Sequence, residues 1–143
     1  MPPLRALSSN PRYFTHDGEH AVYLTGSHTW CNLQDIGLKE TPPFPYQEYL
    51  AFMQAANHNF MRLWMFEQPE RACWTDSPLY FDPIPWARTG PGEAADGKPK
   101  FDLTAWNDVY FTRLRQRVVE AGERGIYCAV MLFQGWSLSV TGK

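Results

Sequence analysis

The chain has 143 residues, of which 44% are apolar and 20% are charged, and its formal net charge is −2. This length suits one domain, and the balance is typical of a globular protein with a packed core. No basic patch indicates a nucleic-acid partner, and no apolar stretch approaches the roughly 20 residues of a membrane span. The histidines and three cysteines lack metal-site spacing, so we expect neither a metal nor a cofactor. No signal peptide is visible, which favours an intracellular protein if Met1 is the native start.

The first predicted element is a hairpin. Residues 13–15 and 21–24 flank an Asp17-Gly18 pair, and Asp-Gly is a strong turn signal because glycine tolerates positive φ. The second arm continues to Thr25 and is predicted to be a core strand. Residues 44–57 then place apolar side chains at helical spacing, and the bulky apolar run 59–66 predicts a strand.

The second predicted helix follows a long segment rich in proline and glycine, 67–101. Thr104 is a candidate N-cap, and Gly125 suits the end of the helix. Residues 126–133 are apolar without interruption, which is typical of a parallel strand covered on both faces. The apolar positions that define this helix are Leu103, Trp106, Tyr110, Leu114, Val118 and Ala121.

This order of elements predicts an α/β fold with a parallel sheet. The turn 25–30 has one glycine and two bulky rings, which disfavours a nucleotide-binding sheet. A (β/α)8 TIM barrel fits better, but it needs about 250 residues. We therefore expect residues 1–143 to be the N-terminal portion of such a barrel, with a hairpin, about three parallel strands and two helices. Its catalytic face would carry the long loops after the strands.

The strand 59–66 has two different faces. Met61, Leu63 and Met65 alternate with Arg62 and Trp64, so the aliphatic side suits a covering helix and the other side faces the barrel interior. A buried guanidinium requires a carboxylate partner. Arg62 either orients a catalytic carboxylate or pairs with surface acids at the strand end.

Polar and aromatic side chains follow each predicted strand and meet on one rim. Tryptophan with polar neighbours can stack on a sugar ring and bond its hydroxyls, so carbohydrate is the expected ligand. The alternatives are that the tryptophans pack the barrel top and that Glu67 fixes a loop. With Arg62 and Trp64, the candidate substrate-binding residues are His28, Trp30, Glu67, Gln134 and Trp136.

Three segments carry a resemblance to a known family. Residues 24–30 (LTGSHTW), 57–64 (NHNFMRLW) and 125–127 (GIY) resemble the start of cellulase-like and apiosidase-like barrels, glycoside hydrolases of the large retaining clan. Residues 101–114 look like the opening of the second barrel helix of that clan. The resemblance implies that Arg62, at the end of the second strand, supports the catalytic nucleophile. It also implies that both catalytic carboxylates follow later strands, beyond Lys143.

The expected function is therefore hydrolysis of glycosidic bonds by a two-carboxylate retaining mechanism in the parent protein, with this chain alone inactive. The alternative is a non-catalytic carbohydrate-binding module on a degenerate barrel. Carboxylates at both later strand ends would favour the enzyme, and their absence would favour binding alone. The sequence does not define the oligomeric state.

Overall fold

The computed structural model describes residues 2–38, 40–72, 75–94 and 96–135. They form a mixed α/β fold of two helices and several small sheets, none of which closes on itself. Neither helix of these described residues has the length and apolar character needed to cross a membrane. The helices are Tyr46–Ala55 (α1) and Asp108–Glu123 (α2). The strands are Arg5–Leu7 (β1), Asn10–Thr15 (β2), Asp35–Gly37 (β3), Phe60–Leu63 (β4), Glu70–Ala72 (β5), Thr75–Asp82 (β6), Trp86–Glu93 (β7), Pro99–Trp106 (β8) and Tyr127–Val130 (β9).

The strands β4 and β9 form a parallel pair, with Phe60 opposite Tyr127 and Leu63 opposite Val130. The connection between them contains α2, as the alternation of elements predicts. The other described sheets are antiparallel. Strand β1 pairs with β2, β6 pairs with both β3 and β5, and β7 pairs with β8. The parallel sheet of the described residues therefore has two strands instead of the expected three or so.

The expected first parallel strand, 21–25, is not a regular strand, although it lies beside β4. The Asn59 side chain accepts a hydrogen bond from Thr25 N–H at 2.9 Å and donates one to the Tyr23 carbonyl at 2.9 Å. A side-chain amide thus replaces part of the backbone ladder. The Thr25 carbonyl then accepts the N–H groups of Asn59 and Phe60. The chain consequently runs along β4 without strand geometry, and Tyr23 is 84% exposed.

The main core lies on one face of the β4–β9 pair, where both helices pack. The helix predicted over 44–57 is confirmed, with slightly narrower bounds, and it buries an apolar stripe against β4. Burial of each such side chain contributes about 1.5–3 kcal/mol. The buried members are Leu33, Tyr46, Leu50, Met53, Met61, Leu63, Met65, Tyr110, Ala121 and Ile126.

The start of α2 differs from the prediction. Asn107, not Thr104, is the N-cap, and its side chain accepts the Val109 N–H at 3.1 Å. The Asn107 amide also donates to the Ile84 carbonyl at 2.8 Å, which fixes the cap to the preceding hairpin. Leu103 and Trp106 belong to β8 and are 69% and 64% exposed. Their helical spacing is therefore coincidental.

The long segment 67–101, predicted to lack regular structure, contains β5, β6, β7 and the start of β8. It builds a second core in which the Phe66 ring stacks on Phe81, with 4.2 Å between ring centroids. Ile84 completes the buried part of this cluster. Prolines and glycines in this segment are compatible with short antiparallel strands joined by turns.

The N-terminal hairpin also pairs differently. Strand β2 pairs with β1, and the expected pairing with 21–24 is reduced to one bridge between Phe14 and Val22. The Asp17 carboxylate accepts the N–H groups of Glu19 and His20 at 2.8 and 2.9 Å. These bonds hold a wide turn, so the second arm leaves β2 after a single bridge.

Candidate functional site

The two faces of β4 differ as the sequence predicts. Met61 and Leu63 are buried against the helices, whereas Arg62 lies on the opposite face and is exposed. Trp64, on the same side as Arg62, is half-buried. The guanidinium carbon of Arg62 lies 5.9 Å from the centre of the Trp64 ring, a cation–π contact. Among the described residues, Arg62 has no carboxylate within ion-pair distance.

Two more rings lie on this face. They belong to His28 and Trp30, which follow the irregular edge of the sheet at residues 22–27. The His28 ring lies 5.2 Å from Trp64 and 6.3 Å from Trp30. Partial burial lowers the pKa of His28, and the positive charge of Arg62 lowers it further. The ring is therefore neutral at pH 7 and offers one donor and one acceptor. We call His28, Trp30, Arg62 and Trp64 the strand-end site.

Two features give the strand-end site the capacity to bind a polar ligand with flat faces. Trp30 is 56% exposed, so part of its side chain reaches solvent. The indole N–H of Trp64 is buried and has no hydrogen-bond partner in the described part of the chain. A small cavity of about 260 Å³ beside Arg62 and His28 is lined by Gly26, Ser27 and Phe60 as well.

Glu67 and Gln134 connect the ends of the two parallel strands. The Glu67 carboxylate accepts the backbone N–H of Gln134 at 2.7 Å, and the Gln134 side chain donates to Gln68 at 3.1 Å. Gln134 is 2% exposed. Burial raises the pKa of Tyr110 to about 12, with a smaller contribution from Glu67. The Glu67 carboxylate thus connects the segments that follow β4 and β9. Its role and that of Gln134 in substrate contact stay predictions.

Trp136, the remaining candidate, lies outside the described residues.

Sequence reasoning missed the two amides that position this face. Asn32 donates to the Arg62 carbonyl at 2.6 Å and accepts the Trp64 N–H at 3.1 Å. Gln34 repeats the arrangement at Phe66, with bonds of 3.0 and 2.6 Å. Both amides are fully buried. The sequence signal for them is the alternation of amides around Leu33, which places both on one side of an extended segment.

Asp35, the residue after Gln34, belongs to a buried ion pair that supports the two amides. Arg113 donates to Asp35 at 2.8 Å, and the Asp35 carboxylate also accepts the Phe44 N–H at 2.9 Å. Arg117 lies 3.9 Å from Asp35 and donates to the Asn32 carbonyl. Arg117 is buried, whereas Arg115 on the same helix is exposed. Burial lowers the pKa of the Arg117 guanidinium, and Arg113 lowers it further.

Comparison with known proteins gives a fold-level likeness. No family model and no curated protein sequence matches the chain. One solved structure, described as a putative glycoside hydrolase from Bacteroides vulgatus ATCC 8482, superposes with a TM-score of 0.57 at 19% sequence identity. The superposition covers 89% of this chain and 23% of that one. At this identity the match shows a shared fold, and the chain spans about a quarter of the longer protein.

Proposed function

We propose that this chain is the N-terminal part of a (β/α)8-barrel glycoside hydrolase, with the irregular edge 22–27, β4 and β9 as its first three parallel segments. Support comes from the order of these segments and from the helices, which cover one face of the β4–β9 pair. The other face would then line the barrel interior. The neighbouring fold described as a glycoside hydrolase adds support at the level of architecture.

The single observation that carries the proposal is the position of Arg62. Its guanidinium stands on the side of β4 away from the helices, beside Trp64 and His28, with no carboxylate partner among the described residues. In the proposed barrel, Arg62 holds the nucleophilic carboxylate of a later strand in its ionised form. An adjacent positive charge lowers the pKa of a carboxyl, which suits a nucleophile.

The proposed reaction is glycosidic hydrolysis with retention of anomeric configuration. Retaining enzymes use two carboxyl groups about 5–5.5 Å apart, one as nucleophile and one as acid/base. We place both beyond Lys143 in a longer polypeptide. His28, Trp30 and Trp64 contact the sugar by stacking and hydrogen bonding, while Glu67, Gln134 and Trp136 complete the rim.

The test is hydrolysis by the longest polypeptide that contains this sequence, followed by ¹H NMR of the product anomer. We expect a product with the substrate's configuration, and loss of about 10²-fold or more in kcat when Arg62 is replaced by alanine. The matched control is Arg115→Ala, an exposed arginine on α2. An inverted product, or strong hydrolysis by residues 1–143 alone, contradicts these assignments.

A second candidate is a carbohydrate-binding module without catalysis. The contacts of Glu67 favour this candidate. Glu67 carries the first carboxylate after β4, and that carboxylate already accepts the Gln134 N–H. Binding of oligosaccharide by a long polypeptide that hydrolyses none would select this candidate.

A further inference from the structure

A second concave site lies away from the strand-end site, on the segment between β4 and α2. A cavity of about 720 Å³ opens between the β3–β6–β5 sheet and the β7–β8 hairpin. This volume falls within the range of about 300–1,000 Å³ that small-molecule sites occupy. We call it the hairpin cavity.

Aromatic side chains from both sheets line the hairpin cavity. Tyr80 comes from β6, Trp86 from β7 and Phe101 from β8, and all three are partly exposed. The base of the cavity contains Phe81 and Ile84 of the second core. Partly exposed rings above an apolar base give flat surfaces on which the apolar face of a sugar can stack.

Arg88 supplies a preorganised donor beside these rings. Its guanidinium donates to both oxygens of Asp96, at 2.5 and 3.1 Å, and to the Pro99 carbonyl at 2.9 Å. It also lies 4.2 Å from the centre of the Phe101 ring. These bonds use three of its five N–H groups. Arg88 lines the cavity, and its other two N–H groups have no acceptor among the described residues, so they can donate to ligand hydroxyls.

The charge of the cavity wall selects against anionic ligands. Asp96 neutralises Arg88, which leaves Lys98 as the other cation, while Glu40 and Asp82 add further carboxylates. Carboxylates accept hydrogen bonds from hydroxyls and repel phosphates, sulfates and uronic acids. The wall therefore fits a polyhydroxylated, uncharged ligand.

We propose that the hairpin cavity is an accessory binding site for a neutral oligosaccharide. The class of ligand, a carbohydrate, rests on the proposed function. The location of the site and the preference for an uncharged ligand rest on the cavity itself. The ligand stacks on Trp86 and Tyr80, and its hydroxyls accept from Arg88 and donate to Asp82. The strand-end site is separate, because the stacked rings of Phe66 and Phe81 lie between Trp64 and the cavity.

The experiment is calorimetric titration of the full chain with cellohexaose, xylohexaose and mannohexaose as neutral probes and hexagalacturonate as the anionic probe. We expect at least one neutral hexasaccharide to bind, and to bind more tightly than hexagalacturonate. Trp86→Ala should weaken that binding about tenfold, because loss of a stacked ring costs about 1.4 kcal/mol. Tyr80→Ala, which removes the other stacking ring from a partly exposed position, should also weaken binding about tenfold and keeps the test valid if Trp86→Ala fails to fold.

Two control variants separate this site from the proposed catalytic face. Trp106 stands opposite Trp86 in the β7–β8 register and does not line the cavity, so Trp106→Ala should leave binding unchanged. Arg62→Ala should also leave the cavity affinity unchanged. Binding that depends on Arg62 and not on Trp86 or Tyr80 overturns the accessory site and leaves the proposed function in place. Tighter binding of hexagalacturonate, or no binding of any neutral probe, also overturns it. Cavity binding in a longer polypeptide that hydrolyses nothing supports the site and removes the proposed function.

Discussion

The carboxylate of Glu67 accepts the backbone N–H of Gln134 at 2.7 Å, which joins the chain just after β4 to the chain just after β9. These two residues are 67 positions apart in sequence, so one side chain fixes the spacing of two strand ends.

Replacement of Glu67 by alanine should destabilise the fold. The N–H of the buried Gln134 then loses its acceptor, and a buried unpaired donor costs about 1–3 kcal/mol. Glu67→Gln keeps an oxygen acceptor and should cost less. Urea unfolding followed by circular dichroism measures both. Equal stability of the alanine variant and the unmodified chain contradicts the assignment of Glu67 as a connection between strand ends.

The buried amides of Asn32 and Gln34 should be as important as core side chains. Asn32→Ala removes the donor to the Arg62 carbonyl and the acceptor of the Trp64 N–H. We expect a loss of about 1–3 kcal/mol in unfolding free energy. Gln116→Ala, at an exposed position of α2, is the matched control and should change stability by about 0.5 kcal/mol or less. The same small change in both variants would disprove the role of the amide.

Gly26 should not tolerate a side chain. A Cβ at this position would collide with the carbonyl oxygen of Phe60, because the irregular edge approaches β4 closely there. Gly26→Ala should therefore cost about 1–3 kcal/mol, as overpacking does. Among the described residues, no atom lies within 4 Å of a Cβ built at Gly135, so Gly135→Ala serves as the control. Thermal unfolding compares the two, and an unchanged Tm for Gly26→Ala contradicts the close approach.

Removal of Asp35 should be more damaging than the other single changes. Its carboxylate is the ion-pair partner of Arg113 and lies near the buried Arg117. Loss of one member of a buried pair leaves an uncompensated charge and costs about 3–5 kcal/mol. Asp35→Ala combined with Arg117→Met should recover part of that loss. A double variant no more stable than Asp35→Ala would show that the charge of Arg117 is not the cause.

The pKa of His28 should respond to Arg62. Partial burial and the charge of Arg62 both lower this pKa below its usual 6.5, so the folded protein binds the proton less readily than the unfolded chain. Stability therefore falls as the pH drops through the unfolded value of about 6.5 towards the folded one. Arg62→Leu should raise the His28 pKa in an NMR titration, and Arg115→Leu should not. An unchanged His28 pKa in Arg62→Leu would show that the charge of Arg62 does not act on His28.

Sequence periodicity predicted the elements whose burial is regular. The stripe on α1, the body of α2, and the alternation of Met61 and Leu63 with Arg62 all follow from side chains that repeat with the backbone. Contacts through side-chain amides do not repeat in this way. Asn59 bonds 34 and 36 positions away, and Asn32 bonds 30 and 32 positions away. The periodicity of apolar side chains does not reveal such pairs.

The antiparallel strands β5 to β8 were missed for a related reason. The residues of β6 to β8 alternate weakly between exposed and buried positions, and β7 is interrupted by glycine and proline. Leu103 and Trp106 happened to continue the helical spacing of α2. The N-cap at Asn107 is fixed by its bond to the Ile84 carbonyl. The apolar periodicity of α2 carries no information about this contact.

The most direct test of the central claim is a crystal structure of the longest polypeptide that contains this sequence. The barrel proposal predicts that the Arg62 guanidinium lies inside a closed parallel sheet, within about 4 Å of a carboxylate that follows a later strand. A structure in which the sheet stays open, or in which Arg62 faces solvent with no later strand beside it, contradicts the proposal.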